Sequence, residues 1–559
     1  MRDISFYLGH DSNVTIYDIE TKEIQFYSLE KYFDKKHVNL GRVSMFGAAK
    51  KLYKCYYNFF KDIGVLDETF SNIYIKRFKN PSFDASSNDR VAYLLGYPSV
   101  NFIFCLLKAK NKTVYTHKSP VDHHKLHARY AYGESGFKKS LAFTYDAGGD
   151  WETSSVVGFD NNTTSYFKYL PNQMVSLYAN CGKKIKEIEA KTLLIDVGGK
   201  VMGFSAYGKS TKFSDKVLRK FRNFEFTGIH DAKNPKDLDR LNIDLKNKIY
   251  TIFNLKNDEH RLETPEESAD YAWCLQQLFE EGIYYHFKKE VLPKCSEYDN
   301  NVVLSGGGAL NVLFNSKIKS LHPEINFYVP PDPTDGSLSL GLMMHHHREI
   351  KQFGKYGTEK LYDAEKLDDY IRLHSATPCT VNEFVDLLNK GKIIGYLYGN
   401  IEIGPRALCH RSILCSAKYP NMKDLLNAKV KHREWFRPFA PVCREEDAKK
   451  YFDIKNWDAS DFSTMAYSVM VKEKYKEKLQ SITHIDNSAR LQTLRQEDAP
   501  FIYDALNKVD GNVLLNTSFN DGGKPILNTI STALDILKKT DMNYVLIYDE
   551  KRNVHWMFS

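Results

Sequence analysis

The order of apolar and polar positions divides the chain into strand-like and helix-like segments. The opening, "ISFYLGHDSNVTIYD" then "EIQFYSLEKYF", has short Ile-, Phe-, Val- and Tyr-rich runs and predicts two strands joined by a polar turn. From residue 141, "SLAFTYDAGGDWETSSVVGFD" repeats strand, Gly-rich turn, strand. Two such hairpins in one chain point to a duplicated α/β unit. Helical periodicity marks 43–65 and 90–110. Residues 210–300 are mostly helical and charged, and "EESADYAWCLQQLFEEGIYYHFKKEVL" has apolar residues at three- and four-residue spacing. "NNVVLSGGGALNVLFNSKI" reads as strand, glycine loop and helix. Residues 350–378 are polar without long apolar runs, and beyond them "KIIGYLYG" and "NVLLNTSFN" read as buried strands of a separate unit.

Composition narrows the classes. A chain of 559 residues suggests two to four domains. With 42% hydrophobic and 26% charged residues it belongs among globular proteins able to bury large cores. A net charge of +8 over so long a chain permits an anionic ligand such as a nucleotide without requiring nucleic acid. No run approaches the ~20 apolar residues of a membrane span, and "MRDISFYLGHDSNV" lacks the pattern of a secretory signal. The nine cysteines are scattered without a CxxC pair, which predicts reduced thiols in a cytoplasmic protein rather than disulfides or a zinc site.

The chemistry begins at "VDHHKLHARYAYGESGF". His123 and His127 are four positions apart, so a helix places them on one face about 6 Å apart, a spacing that suits two imidazoles on one metal. His124 points elsewhere. Taken alone, the pair fits a solvated polar helix equally well. Asp146 ends an apolar strand in "TYDAGGD", and Asp335 lies in the Pro/Gly loop "PPDPTDGSLSLG". Two His and two Asp would make a mixed nitrogen and oxygen set, better suited to Fe(II) or Mn(II) than to zinc. Spacing alone does not join Asp335 to the others.

Two further regions suggest anion binding. In "LSGGGALNVLFN", Gly306, Gly307 and Gly308 end a strand, and their N–H groups with the following helix could hold an anion; Asn311 and Asn315 follow on that helix. A plain turn accounts for the glycines as well. Further on, "GNIEIGPRALCHRSIL" carries Arg406 and Arg411, "KVKHREWFRPFAP" carries Lys431, Arg433 and Arg437, "ARLQT" carries Arg490, and "LNTSFNDGGKPI" carries Ser518 and Asn520. Arginines in loops beside hydroxyl and amide side chains resemble a phosphate pocket, because the guanidinium fork matches phosphate oxygens. The alternative is an exposed charged surface.

Taken in order, "GHDSNV", "DHHKLHARYAYGESGF", "YDAGGD", "VMGFSAYGK", "SGGGALNVLFN", "PPDPTDGSLSLG", "IEIGPRALCHRSIL", "KHREWFRPFAP", "ARLQT" and "LLNTSFNDGGKPI" resemble the nodulation and cephamycin-type O-carbamoyltransferases, the NodU/CmcH family. The resemblance implies an α/β protein of two units. Residues 1–355 would form an actin-like (ASKHA) duplicated α/β domain, similar to the metalloprotein that makes threonylcarbamoyladenosine on tRNA, with helical inserts near 43–118 and 210–300. A linker over 356–378 would lead to a YrdC-like domain at 379–559. In the family, the second domain makes carbamoyl-AMP from carbamoyl phosphate and ATP, with Mg²⁺, and the first transfers the carbamoyl group to a hydroxyl.

Residue by residue, the resemblance implies an iron site at His123, His127, Asp146 and Asp335. It implies a carbamoyladenylate site at Gly306, Gly307, Gly308 and Asn311, and a carbamoyl phosphate and ATP site at Arg406, Arg411, Lys431, Arg433, Arg437, Arg490, Ser518 and Asn520. His10 in "LGHDS" is the candidate base for the acceptor hydroxyl. Lys36 is a second active-site candidate, in "LEKYFDKKH", where Lys31 stands in place of the family's arginine. In "RALCHRS", Cys409 and His410 replace a glycine and an asparagine. The acceptor stays open between a small hydroxylated metabolite and a hydroxymethylated pyrimidine in DNA, and a homodimer is an open assembly state. A tRNA threonylcarbamoyl-transferring fusion is the competing enzyme.

Overall fold

The computed structural model describes residues 1–38, 49–66, 68–76, 103, 106–116, 122–149, 152–222, 235–255, 262–454 and 456–559. Strands β1 (Arg2–Tyr7), β2 (Asn13–Asp18), β3 (Ile24–Ser28), β4 (Thr69–Lys76) and β5 (Lys108–Thr116) form a sheet in the order β3-β2-β1-β4-β5. The first three are antiparallel neighbours, and β1, β4 and β5 run parallel. Strands β6 (Lys139–Gly149), β7 (Glu152–Asp160), β8 (Thr163–Tyr169), β9 (Asn301–Ser305) and β10 (Asn326–Tyr328) form a second sheet in the order β10-β9-β6-β7-β8. Here too the first three strands in sequence are antiparallel neighbours and the last two join in parallel. The two hairpins visible in the sequence therefore head two sheets of one topology, and the α/β unit is duplicated at the level of the backbone.

Two expectations need correction. The opening is a meander of three strands, because Gly9-His10-Asp11 is itself a turn: Asp11 takes φ 60° and the Ser12 hydroxyl donates to the Gly9 carbonyl at 2.7 Å. The stretch 43–118 is not simply a helical insert. It holds the helix Ala49–Asp62, but it also supplies β4 and β5, in which Phe70, Ile73 and Ile75 are buried in the first sheet's core. Most of the expected helix over 90–110 lies outside the described residues, and its last positions fall in β5. The 210–300 region holds helices Lys212–Arg222, Pro235–Ile252 and Pro265–His286.

Two helices lie between the sheets. His123–Ser135 packs on the second sheet and Leu338–His346 on the first, and they meet through Leu126, Leu338, Leu342, Tyr130, Leu340 and Met343. Gly341 permits the crossing, since a Cβ there would stand 2.5 Å from the Leu126 carbonyl oxygen. Each such buried apolar side chain contributes about 1.5–3 kcal/mol.

The C-terminal part holds β11 (Thr377–Pro378), β12 (Ile394–Leu397), β13 (Arg411–Ser416), β14 (Ala440–Arg444), β15 (Phe452–Asp453), β16 (Val469–Val471), β17 (Ser488–Ala489), β18 (Gln492–Leu494), β19 (Leu514–Ser518), β20 (Tyr544–Asp549) and β21 (Val554–Phe558). Eight of them form a mixed sheet in the order β11-β21-β20-β12-β13-β19-β14-β18, and β15, β16 and β17 form a small one. Residues 356–378 are tied to this part: the Gly357 N–H donates to the Ile401 carbonyl at 2.7 Å and the Tyr362 N–H to the Asn528 carbonyl at 3.0 Å. One apolar core runs from Leu141 and Phe143 of β6 through the Pro265–His286 helix to Ile413 and Leu515 of the eight-stranded sheet. Among the described residues, no helix is long and apolar enough to cross a membrane.

Candidate metal centre and cationic pocket

The His123–Ser135 helix begins at Asp122, whose Oδ1 accepts from the N–H groups of His124 and Lys125 at 2.8 and 3.3 Å. This cap sets His123 and His127 one turn apart on a buried face. His124 turns instead toward Thr144, with its Nδ1 3.4 Å from the hydroxyl. Asp146 sits where the β6–β7 register slips between Tyr145 and Gly149, a bulge that turns its carboxylate out of the ladder. Gly149 leaves room for the imidazole, since a Cβ there would fall 2.1 Å from the His123 ring. Asp335 opens the turn before the Leu338–His346 helix, and the Asn13 amide holds its carbonyl at 2.9 Å.

These four side chains converge. His123 Nε2 and His127 Nε2 are 3.1 Å apart, and Asp335 Oδ1 is 3.3 and 3.2 Å from them. Asp146 Oδ2 is 3.7 Å from His123 Nε2 and 3.2 Å from His127 Nε2. One ligand atom from each residue lies within 4.8 Å of all the others, and all four residues are buried. Burial opposes a proton on His123, yet Asp335 and Asp146 push its pKa up to about 10. Burial likewise opposes charge on Asp335, but His10, His123 and His127 hold its pKa well below the carboxylate range. The pocket draws positive charge inward, and its donor set fits a divalent first-row metal.

A polar chain leads outward from this centre. His10 Nε2 stands 3.2 Å from Asp335 Oδ2, which also accepts from the Tyr7 hydroxyl. His10 Nδ1 is 3.1 Å from Asp11 Oδ2, and Asp11 Oδ1 is 2.7 Å from His37 Nδ1. Beyond, His37 Nε2 lies 3.4 Å from Asp196 Oδ2, and Lys36 Nζ donates to Asp196 Oδ1 at 3.0 Å. His10 and Lys36 thus sit in one network. Tyr7, Asp11, His37 and Asp196 were not singled out from the sequence. Asp11 and His37 directly follow the two candidates, which was an available signal, whereas nothing in "LLIDVGG" marks Asp196.

The glycine loop adjoins the metal centre. Gly306 takes φ 89°, a left-handed conformation suited to glycine, and a Cβ on Gly307 would lie 3.1 Å from Asp146 Oδ1. Asn311 is committed to the fold: its Oδ1 caps the next helix at the Phe314 N–H, 3.0 Å, and its amide pairs with Gln276. Arg406 reaches this loop, with its Nη2 3.5 Å from the Leu310 carbonyl oxygen.

Arg406, Arg433, Arg437 and Arg490 form one cationic cluster. Burial lowers the Arg490 pKa, and repulsion from Arg406, Arg437 and Arg433 lowers it further. Its Nε is buried without a hydrogen-bond partner among the described residues. Arg433 Nε is held by Asn427 at 2.8 Å, and Glu434 Oε2 lies 3.7 Å from Arg437. Lys431, Ser518 and Asn520 meet one another: Lys431 Nζ donates to the Ser518 carbonyl at 2.7 Å and to the Asn520 side chain.

Arg411 does not join the cluster. It is fully buried and donates to the carbonyls of Tyr398 (2.5 Å), Gly399 (2.9 Å) and His410 (3.2 Å) and to Asn528. Cys409 takes φ 74°, the backbone for which a glycine is suited, and His410 stacks on Tyr356 at 3.7 Å.

Residues 4–342 match the family model described as carbamoyltransferase N-terminus, and residues 385–551 match carbamoyltransferase C-terminus. Nodulation protein NolO of Bradyrhizobium diazoefficiens is 27% identical over 461 residues, covering 76% of this chain and 78% of that protein. Nodulation protein U of Rhizobium tropici is 33% identical over 233 residues, 40% of this chain and 39% of that one. Among solved structures, component A of (R)-2-hydroxyglutaryl-CoA dehydratase from Acidaminococcus fermentans covers 62% of this chain and 98% of its own, with 10% identity and a TM-score of 0.30, too remote to support an argument.

Proposed function

The chain belongs to the carbamoyltransferase family, matched along both its parts, and from that premise we propose an ATP-dependent O-carbamoyltransferase that works in two half-reactions. We read the two like sheets as an actin-like pair within residues 1–355, and residues 379–559, reached through 356–378, as a YrdC-like domain. In the second unit, carbamoyl phosphate, ATP (brought with Mg²⁺) and one water give carbamoyl-AMP, phosphate and pyrophosphate: water takes the phosphoryl group of carbamoyl phosphate, and the carbamate left displaces pyrophosphate from ATP. In the first, an acceptor hydroxyl takes the carbamoyl group and AMP leaves.

The observation that carries this reading is the cluster of Arg406, Arg433, Arg437 and Arg490, of which Arg406 reaches a glycine loop that backs onto Asp146. Four guanidiniums that repel one another are stabilised by a polyanion, and they neutralise charge as phosphoryl groups shift. Lys431, Ser518 and Asn520 line the same pocket in this reading, whereas Arg411 shapes its wall. Gly306–Gly308 let the adenylate lie against the main chain, and Asn311 stiffens the helix that follows them.

His123, His127, Asp146 and Asp335 would hold Fe(II) or Mn(II), which would supply Lewis-acid polarisation of a bound oxygen. His10, beside Asp335 and partly exposed, is the base for the hydroxyl proton in this reading, and Lys36 lines the same side. The acceptor is a hydroxylated metabolite in this reading, with a hydroxymethylated DNA base as the competing outcome.

The test is labelled carbamoyl phosphate plus ATP against an acceptor panel, with mass spectrometry of the products. His127→Ala should lose bound metal and acceptor carbamoylation while still releasing pyrophosphate. Arg437→Ala should lose pyrophosphate release. Normal transfer by the first variant, or normal release by the second, would sink the assignment.

A further inference from the structure

The chain of groups leaving the metal centre alternates acid and base: Asp335, His10, Asp11, His37, Asp196, Lys36, each contact between 2.7 and 3.4 Å. Asp11 is its midpoint. Its two carboxylate oxygens go to two different imidazoles, Oδ2 to His10 and Oδ1 to His37. The backbone is shaped to allow this, since Asp11 takes φ 60° and His37 φ 54°, a left-handed region that Asp and His enter more readily than most residues with a side chain. The Asn13 amide holds the turn through the Asp11 carbonyl at 2.7 Å and through Asp335 on the other side. The turn is thus anchored independently of the carboxylate, which is spent wholly on orienting the two rings.

We propose that Asp11 is a positioning residue of the acceptor half-reaction: its single carboxylate fixes both His10 and His37, and so sets the route between Asp335 and Lys36. This rests on the reading that His10 meets the acceptor hydroxyl. Transfer forms the bond from the acceptor oxygen to the carbamoyl carbon, breaks the bond from that carbon to the adenylate oxygen, and releases the hydroxyl proton. With Nδ1 held by Asp11 at 3.1 Å, the His10 ring keeps its Nε2 on the Asp335 side, 3.2 Å from Oδ2, at the inner end of the network. A carboxylate can accept from both rings at once, whereas an amide offers one acceptor and one donor. Asp11→Asn therefore forces one of the two imidazoles to turn or to change tautomer, at almost unchanged volume.

Asp11→Asn should keep its metal, its melting temperature and the acceptor-independent release of pyrophosphate. Its kcat for transfer should fall on the order of 10²–10⁴-fold, the range of general acid–base catalysis, with acceptor KM changed much less. Asp11→Glu should recover part of the loss. Transfer at the wild-type kcat, a parallel loss of pyrophosphate release and metal, or no recovery in Asp11→Glu would each overturn the proposal. Should the wild-type protein carbamoylate no acceptor, the two-step reading fails separately. Nitrogen-15 spectra of the histidine-labelled, chelator-treated chain then decide: the His10 and His37 ring signals, assigned with variants of each, should both move in Asp11→Asn, and unmoved signals would overturn the hold.

Discussion

Gly149 shows how closely single residues are matched around the candidate metal centre. A methyl group there would overlap the His123 ring at 2.1 Å, and that ring is wholly buried. Gly149→Ala should lower stability by about 1–3 kcal/mol, the usual cost of overpacking, and should lose most bound metal. Elemental analysis beside urea unfolding checks this, and a variant that keeps full metal would contradict the packing. At this scale the sequence was informative where chemistry follows local spacing. His123 and His127 are one helical turn apart, and Asp146 ends an apolar strand. It was silent where partners are far apart, as for Asp196 against Lys36 and His37. Nor can an arginine in a motif reveal its direction: Arg411 and Arg490 look alike in sequence, yet one is satisfied by carbonyls and the other has a buried Nε with no partner among the described residues.

Among the elements, the His123–Ser135 helix is the most misleading to read. Eleven of its thirteen residues are buried, polar ones included, so it has no clear apolar stripe and its pattern passes for a solvated helix. What holds its first turn is Asp122, which caps two N–H groups and accepts from the Tyr169 hydroxyl at 2.6 Å. Asp122→Ala should cost about 1 kcal/mol and weaken metal affinity by loosening His123 and His127. Calorimetry and metal titration would check both, and an unchanged melting curve would count against the cap. The strands show the opposite difficulty. β4 and β5 were read within a helical insert, because their identity as strands depends on β4 pairing with β1, distant in the chain, and β5 with β4, and no local period reveals a parallel partner.

For the whole molecule, stability should report the ion pairs that bind its parts together. Burial lowers the pKa of His37, but Asp11 and Asp196 more than offset it and push it up to about 10. The folded value lies above the ordinary 6.5, so this contribution is fully present below about pH 6.5 and is lost as pH rises toward 10. Urea unfolding from pH 7 to 10 should show a steeper loss of stability in the wild type than in His37→Gln; parallel slopes would refute it. The segment around His37 also meets the C-terminal part, through Lys31 on the Glu402 carbonyl and Asp34 paired with Lys524 at 2.6 Å. The shared topology of the two five-stranded sheets has a consequence of another kind. Two identical chains related by a twofold axis must place the same residue at both equivalent positions. Joining the copies in one polypeptide removes that restriction. The first hairpin of one copy is free to carry His10 and Asp11, and that of the other Asp146 and Gly149, so that matching corners of one topology hold different side chains.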